Sequence, residues 1–238
     1  MKVLVTGGLG FIGSHTCIQL LEAGHEVLIL DDLSNSHSGT LDAIINLQNG
    51  SISFEKMNIL NLLKLREAAG TFRPDAVMHF AGLKSVSESL LSPLDYYETN
   101  VVGTLNLLKV CAELSVSKFI FSSSATVYGV PSYLPIDENH TVSPVTPYGH
   151  SKAICEQVIS DFCNSADIDA FILRYFNPVG AHYSGLIGEN PLQKPNNLMP
   201  IISQVASGVL KKISVFGTDY ETLDGTAERD YIHVCDLV

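Results

Sequence analysis

Tyr148 and Lys152 lie four residues apart in Pro147-Tyr-Gly-His-Ser-Lys152. Ser124 stands twenty-four residues before Tyr148, inside Phe121-Ser-Ser-Ser-Ala-Thr-Val-Tyr128. On a helix, residues i and i+4 share a face. An ammonium beside a phenol favours the phenolate. A phenol with an ordinary pKa of ~10 needs such help to act as a base near neutral pH. The set reads as a device that removes a proton from a sugar or alcohol hydroxyl. His150 lies between the pair but points off their face, which predicts a surface position.

A carbinol that loses its proton in this way needs a hydride acceptor. Gly7, Gly10 and Gly13 follow the apolar run Lys2–Thr6 at x-x spacing. One glycine turns the chain, one lets a pyrophosphate approach the backbone, and one lets helix pack on strand. Phe11 and Ile12 lie within this turn, and the helix that follows offers free N–H groups and a positive dipole end to phosphate. Asp31 closes the second apolar run, eighteen residues past Gly13. A carboxylate there accepts from ribose hydroxyls and repels a 2′-phosphate, so NAD is expected over NADP. Asp32, Leu33, Ser34, Asn35 and Ser36 continue this loop and are placed with the cofactor. Asn58 and Ile59 are expected against adenine. Phe80, Ala81, Gly82, Leu83 and Lys84 are expected at the carboxyl end of the fourth strand, where open sheets bind ligands.

These residues need a frame. Strands are predicted over 2–6, 26–31, 51–57, 75–81, 118–122 and 169–176. Helices are predicted over 14–23, 93–114 and 147–162, with Pro147 pre-set for a first helical turn. Strands alternating with helices imply an α/β fold, a Rossmann-like, doubly wound parallel sheet covered on both faces. The texture changes after Phe176, where Gly, Pro and Asn become frequent. We therefore divide the chain into a dinucleotide-binding domain, 1–176, and a smaller substrate-binding part, 177–238. The second part is expected to hold a helix over 198–207 and short strands over 213–216 and 229–234. Asp236 would suit a helix start, but no helix is predicted after it, and this part reads as truncated.

The 238 residues are 46% hydrophobic, enough for a sizeable core, and carry a formal net charge of −11. A nucleic-acid partner needs clustered Lys and Arg, so none is expected. No leader is read at the N-terminus and no apolar run is long enough to cross a bilayer, so no membrane partner is expected. Cys17, Cys111, Cys155, Cys163 and Cys235 are odd in number and form no C-x-x-C pair. They read as reduced thiols of a cytoplasmic protein, with no metal site.

The glycine loop, Asn100-Val-Val-Gly-Thr104, the Ser122–Ser124 run and the Tyr148/Lys152 spacing together resemble the extended short-chain dehydrogenase/reductase family. The chain is similar to that family's nucleotide-sugar 4-epimerases along its whole length. The stretches His79–Ser89, Phe121–Gly129, Leu173–Ala181, Asn196–Pro200 and Arg229–Val234 carry the likeness. Related dehydratases have an Asp-Glu pair after the catalytic Ser/Thr; here Ala125-Thr126 fills that place, so no acid stands ready to protonate a leaving hydroxyl.

The resemblance implies interconversion of UDP-glucose and UDP-galactose by transient oxidation at C4, with NAD retained. Tyr148 would take the proton, Lys152 would lower its pKa and hold the nicotinamide ribose, and Ser124 would bond the same oxygen. Lys84, Thr99, Asn100 and Phe176 would contact the cofactor. Thr126, Asn177, Asn197, Leu198, Val215, Phe216 and Arg229 would hold the substrate, with Arg229 on the diphosphate. Asn58 stands where the family commonly has Asp. The two long helices resemble the pair that forms the family's homodimer interface. The family also continues past Val238, so two other readings stay open here: an epimerase for N-acetylated or pentose UDP-sugars, and a non-catalytic NAD-binding module.

Overall fold

The computed structural model describes residues 1–192 and 195–238. Five strands and their connections follow in chain order: β1 (Lys2–Thr6), α1 (Phe11–Glu22), β2 (Glu26–Asp31), α2 (Gly39–Leu47), β3 (Ile52–Lys56), α3 (Leu62–Phe72), β4 (Ala76–His79), α4 (Val86–Leu91), α5 (Pro93–Tyr96), a π-helical turn (Tyr97–Val102), α6 (Gly103–Leu114) and β5 (Lys118–Ser122). A 3₁₀ turn (Ala125–Tyr128), α7 (Pro147–Ser165) and β6 (Asp169–Leu173) complete the sheet. Beyond it lie β7 (Asn177–Val179), α8 (Leu198–Ala206), β8 (Tyr231–His233) and α9 (Val234–Leu237).

The six strands are all parallel, in the order β3-β2-β1-β4-β5-β6. The chain runs outward from β1 to β3, then returns to β4 on the other side of β1. That reversal puts the switch point at the carboxyl ends of β1 and β4, the usual ligand position in such sheets. Alternation along each strand feeds two cores. Val3, Val5, Val27 and Ile29 pack with Cys17, Ile18 and Leu21 of α1 on one face. Leu4, Leu28, Phe119 and Phe121 pack with Leu107 of α6 and with Cys155 and Ile159 of α7 on the other. Both faces are dry, so the inner strands read as continuous apolar runs.

The α/β class and the six sheet strands agree with the sequence expectations, while several details do not. Helix α1 begins at Phe11, three residues before the predicted start. Helices α2, α3 and α4 were not predicted; Asn61 caps α3 and Ser85 caps α4, each accepting from the backbone N–H three residues on. No strand forms over 213–216: Val215 and Phe216 are exposed, and among the described residues no strand pairs with them. β7 was not predicted, and it pairs in parallel with β8. A short helix, α9, does follow His233, whose ring nitrogen accepts from the Cys235 N–H at 3.2 Å. All five cysteines are free thiols. Among the described residues, no helix is long and apolar enough to cross a membrane.

Candidate active site

Ser124 and the Tyr148/Lys152 pair meet at the carboxyl end of β5. Thr146 opens α7 by accepting from the Gly149 N–H at 3.2 Å, with Pro147 at the first helical position. The helix turns Tyr148, Ser151, Lys152, Cys155 and Glu156 inward, while His150 is exposed as expected. The Lys152 ammonium donates to the Ser122 carbonyl at 2.8 Å and lies 4.8 Å from the centroid of the Phe121 ring. Burial draws the Lys152 pKa down to about 8, against the opposing pull of Cys155 and Glu156. Ser124 starts the 3₁₀ turn, and its oxygen accepts from the Thr126 N–H at 3.2 Å and the Thr126 hydroxyl at 3.0 Å.

The Tyr148 phenol departs from the expected direction. Burial raises its pKa above the ordinary value, and the Ser124 hydroxyl only partly opposes this. The cause is desolvation, which disfavours phenolate. The Lys152 ammonium is engaged by the Ser122 carbonyl.

Contacts from α7 and the end of β6 fix the serine loop from behind. Glu156 lies one turn beyond Lys152 on α7, and Arg174 follows β6. Arg174 grips Glu156 through Nε at 3.0 and 3.1 Å and through Nη2 at 2.6 Å. Arg174 also donates to the Tyr128 hydroxyl at 3.2 Å and stacks over its ring at 5.0 Å. Ser123 donates to Glu156, and the Ser122 hydroxyl bonds that of Tyr175. These supports were not expected from the sequence. Glu156 could have been found, because 148, 152 and 156 are successive i+4 positions. An open cavity of about 640 Å³ lies beyond the Arg174–Glu156 pair, lined also by Gln157, Ile172 and Leu237; it includes none of Ser124, Tyr148 and Lys152.

Asn100 ties the β4 loop to this centre. It sits in the π-helical turn, a local irregularity often found at functional sites. Its Oδ1 accepts from the Leu83 N–H at 2.8 Å, and its Nδ2 donates to the Leu83 carbonyl at 3.1 Å and the Ser151 hydroxyl at 2.9 Å. Gly82 passes so close that a Cβ there would lie 2.8 Å from Asn100 Oδ1. Thr99 is half-buried in the same turn. Below, Thr104 donates to the Asn100 carbonyl at 2.7 Å, so its oxygen accepts from His79 Nε2 at 3.1 Å. His79 Nδ1 then accepts from the Thr6 hydroxyl at 2.7 Å, which defines one neutral tautomer.

The cofactor side has the features a dinucleotide needs. A Cβ at Gly13 would lie 2.2 Å from the Gly7 carbonyl oxygen, and one at Gly7, whose φ is +67°, would lie 2.6 Å from the Ala81 nitrogen. The loop therefore packs β1, α1 and the β4 loop without side chains. No side chain caps α1 at Gly10, and no acid stands in its first turn, so the N–H groups of Phe11, Ile12 and Gly13 face an uncapped end. Asp31 is buried and accepts from the Leu9 N–H at 3.1 Å, the Leu33 N–H at 3.0 Å and the Ser36 hydroxyl at 2.7 Å. Asp32 accepts from the Ser34 N–H at 2.9 Å and from Asn58 Nδ2 at 2.8 Å. Ile59 is buried beside Gly103. Phe80 packs against the apolar layer of α1, whereas Lys84 forms an ion pair with Glu189 at 3.1 Å. Asn35 Oδ1 accepts from the Leu192 N–H at 3.2 Å.

The expected substrate residues are less gathered. Asn177 donates to the Asp230 carbonyl at 2.8 Å, and Asn197 to Glu189 at 2.6 Å. Leu198 and Phe176 are partly exposed. Arg229 is exposed and donates to the neighbouring Glu228 carbonyl at 2.7 Å. Phe216 is 86% exposed, so the structure does not bring it or Val215 to the centre.

The sheet order, the uncapped glycine turn and the Ser124/Tyr148/Lys152 set define a short-chain dehydrogenase/reductase fold. Residues 3–238 match the model of the NAD dependent epimerase/dehydratase family, and the chain belongs to that family. It is 50% identical to the UDP-glucose 4-epimerase of Bos taurus, covering 99% of this chain and 70% of that protein. It is 49% identical to that of Yersinia enterocolitica, covering 100% of this chain and 71% of the relative. A crystal structure of the Bifidobacterium longum UDP-glucose 4-epimerase in complex with NAD+ and UDP superposes with a TM-score of 0.97 at 45% identity, covering 100% of this chain and 71% of that one.

Proposed function

We propose that this chain interconverts UDP-glucose and UDP-galactose by transient oxidation at C4 of the sugar. The observation that carries the reading is the buried Ser124/Tyr148/Lys152 set at the end of β5, with no acid at 125 or 126 to drive elimination. The proposal also draws on the likeness to proteins named UDP-glucose 4-epimerase.

NAD, when bound, would supply the acceptor for the C4 hydride and its return to the opposite face of the sugar. Tyr148 takes the proton of the 4-hydroxyl and gives one back at the end of the cycle. Ser124 holds the same oxygen by a hydrogen bond. Lys152 supplies the positive charge that lets a buried phenol carry negative charge, since burial alone works against it. The dry surroundings of Tyr148 keep bulk water from the 4-keto sugar between the two half-reactions. Gly7, Gly10, Gly13 and the end of α1 hold the cofactor pyrophosphate, and Asp31 the adenosine ribose. Asn177, Asn197, Leu198 and Arg229 hold the UDP part, with Thr126 near the sugar and Phe176 on the cofactor side.

The reading extends to a homodimer that joins the 93–114 and α7 helices of two copies, in the cytoplasm. Sedimentation at micromolar concentration tests the dimer, and a monomer would contradict it. The activity is tested by a coupled assay of UDP-galactose conversion without added cofactor. Turnover with NAD already bound is expected. A chain with full NAD content and no turnover would contradict the proposal.

A further inference from the structure

Glu189 joins the two sides of the site, although no step above uses it. One oxygen, Oε1, accepts from the Lys84 ammonium at 3.1 Å and from the Asn197 amide at 2.6 Å. The Glu189 side chain is only 8% exposed, whereas that of Lys84 is 52% exposed. A carboxylate loses much hydration at such burial and is retained only with strong donors. Two further bonds fasten the same stretch across the cofactor loops: Asn196 Nδ2 to the Ser85 hydroxyl at 3.2 Å, and the Leu192 N–H to Asn35 at 3.2 Å.

An ammonium carries three donors, and an Asn amide carries two donors and an acceptor. Glu189 therefore uses one donor from each partner and leaves the others for ligands. Lys84 belongs to the cofactor side of the proposed site and Asn197 to its UDP side. We infer that Glu189 is a positioning residue: its shared oxygen holds Lys84 and Asn197 in a fixed relation and so sets affinity for the UDP part of the substrate. It takes no part in proton transfer. This inference rests on the epimerase reading above for its assignment of the two sides.

Glu189→Ala removes the shared acceptor. Glu189→Gln keeps a carbonyl acceptor for Asn197 but loses the charge opposite Lys84. UDP affinity by calorimetry, NAD content, KM, kcat and urea midpoint are measured for both. In Glu189→Ala, the UDP Kd and the KM are expected to rise roughly tenfold with kcat nearly unchanged, as befits loss of a charge-assisted contact made equally in ground and transition states. Glu189→Gln should show a smaller rise at an unchanged urea midpoint. Unchanged UDP affinity in both variants would overturn the inference. So would a fall in kcat at constant KM, or a loss of affinity that only tracks a loss of folding stability. Calorimetry reads UDP binding without turnover, so a wild-type chain that binds UDP but does not convert it counts against the epimerase reading alone.

Discussion

Lys152 donates to the carbonyl oxygen of Ser122, two residues before Ser124, at 2.8 Å. The lysine, the serine loop and, through one turn of α7, the tyrosine are thus held by a single strand–helix contact. The same contact keeps the ammonium out of water, and burial lowers its pKa to about 8. A lysine with a lowered pKa is charged below that value and neutral above it. In the proposed mechanism Tyr148 works only beside this charge, so kcat/KM should fall as pH rises through about 8. A pH–rate profile checks this, and a flat profile to pH ~10, the ordinary lysine range, would separate the charge from the rate.

The glycine turn offers a paired test. At Gly13 a Cβ would meet the Gly7 carbonyl oxygen at 2.2 Å, whereas at Gly70, inside α3, it would meet nothing within 4 Å. Gly13→Ala should therefore lose bound NAD, measured by absorbance after denaturation. Gly70→Ala should keep NAD and gain about 0.5–1 kcal/mol, because alanine is the better helix former. Equal NAD content in both variants would contradict the packing argument.

His79 gives the fold a sensitivity to acid. It is fully buried, and burial, aided by the Lys152 charge, lowers its pKa from 6.5 to about 3. A group whose folded pKa is depressed contributes stability above its unfolded value that is lost as pH falls toward the folded value. The difference in urea midpoint between wild type and His79→Gln should therefore be largest at pH 7 and shrink from 6.5 downward. A constant difference between pH 7 and pH ~4, across the range where free histidine titrates, would contradict it.

Arg174 and Glu156 form a largely buried ion pair, with side chains 22% and 7% exposed. Arg174→Ala leaves the carboxylate buried without its partner and should cost about 3 kcal/mol in urea unfolding. Replacing both residues by apolar ones, Arg174→Met with Glu156→Leu, should recover part of that loss. Turnover should stay low in the double variant, because Ser123 and Tyr128 have lost their anchor. A double variant less stable than Arg174→Ala would contradict this account.

Much of the sheet and of the proposed catalytic set was legible because both are local. β1, Gly7–Gly13 and Asp31 announce themselves by apolar runs, glycine spacing and a closing acid. Tyr148 and Lys152 announce themselves by i+4 spacing behind Thr146-Pro147. Long-range pairings were not legible. β7 meets β8 across more than fifty residues, and Glu189 meets Lys84 across 105. The run Ile213-Ser-Val-Phe216 looks strand-like by composition, but no neighbouring edge pairs with it, and β-propensity without a partner makes no strand. α2 and α4 are short helices with few repeats of the apolar period. The direction of the Tyr148 shift was misjudged because spacing reveals a charge nearby but not the desolvation around it.

In the proposed mechanism Tyr148 moves the proton at the sugar 4-hydroxyl. Tyr148→Phe, assayed for UDP-galactose conversion beside calorimetry with UDP and measurement of bound NAD, tests it most directly. Binding of both ligands is expected to stay close to wild type while kcat falls about 10²–10⁴-fold, the range of general acid–base catalysis. Turnover within a few fold of wild type, with both ligands bound, would contradict it.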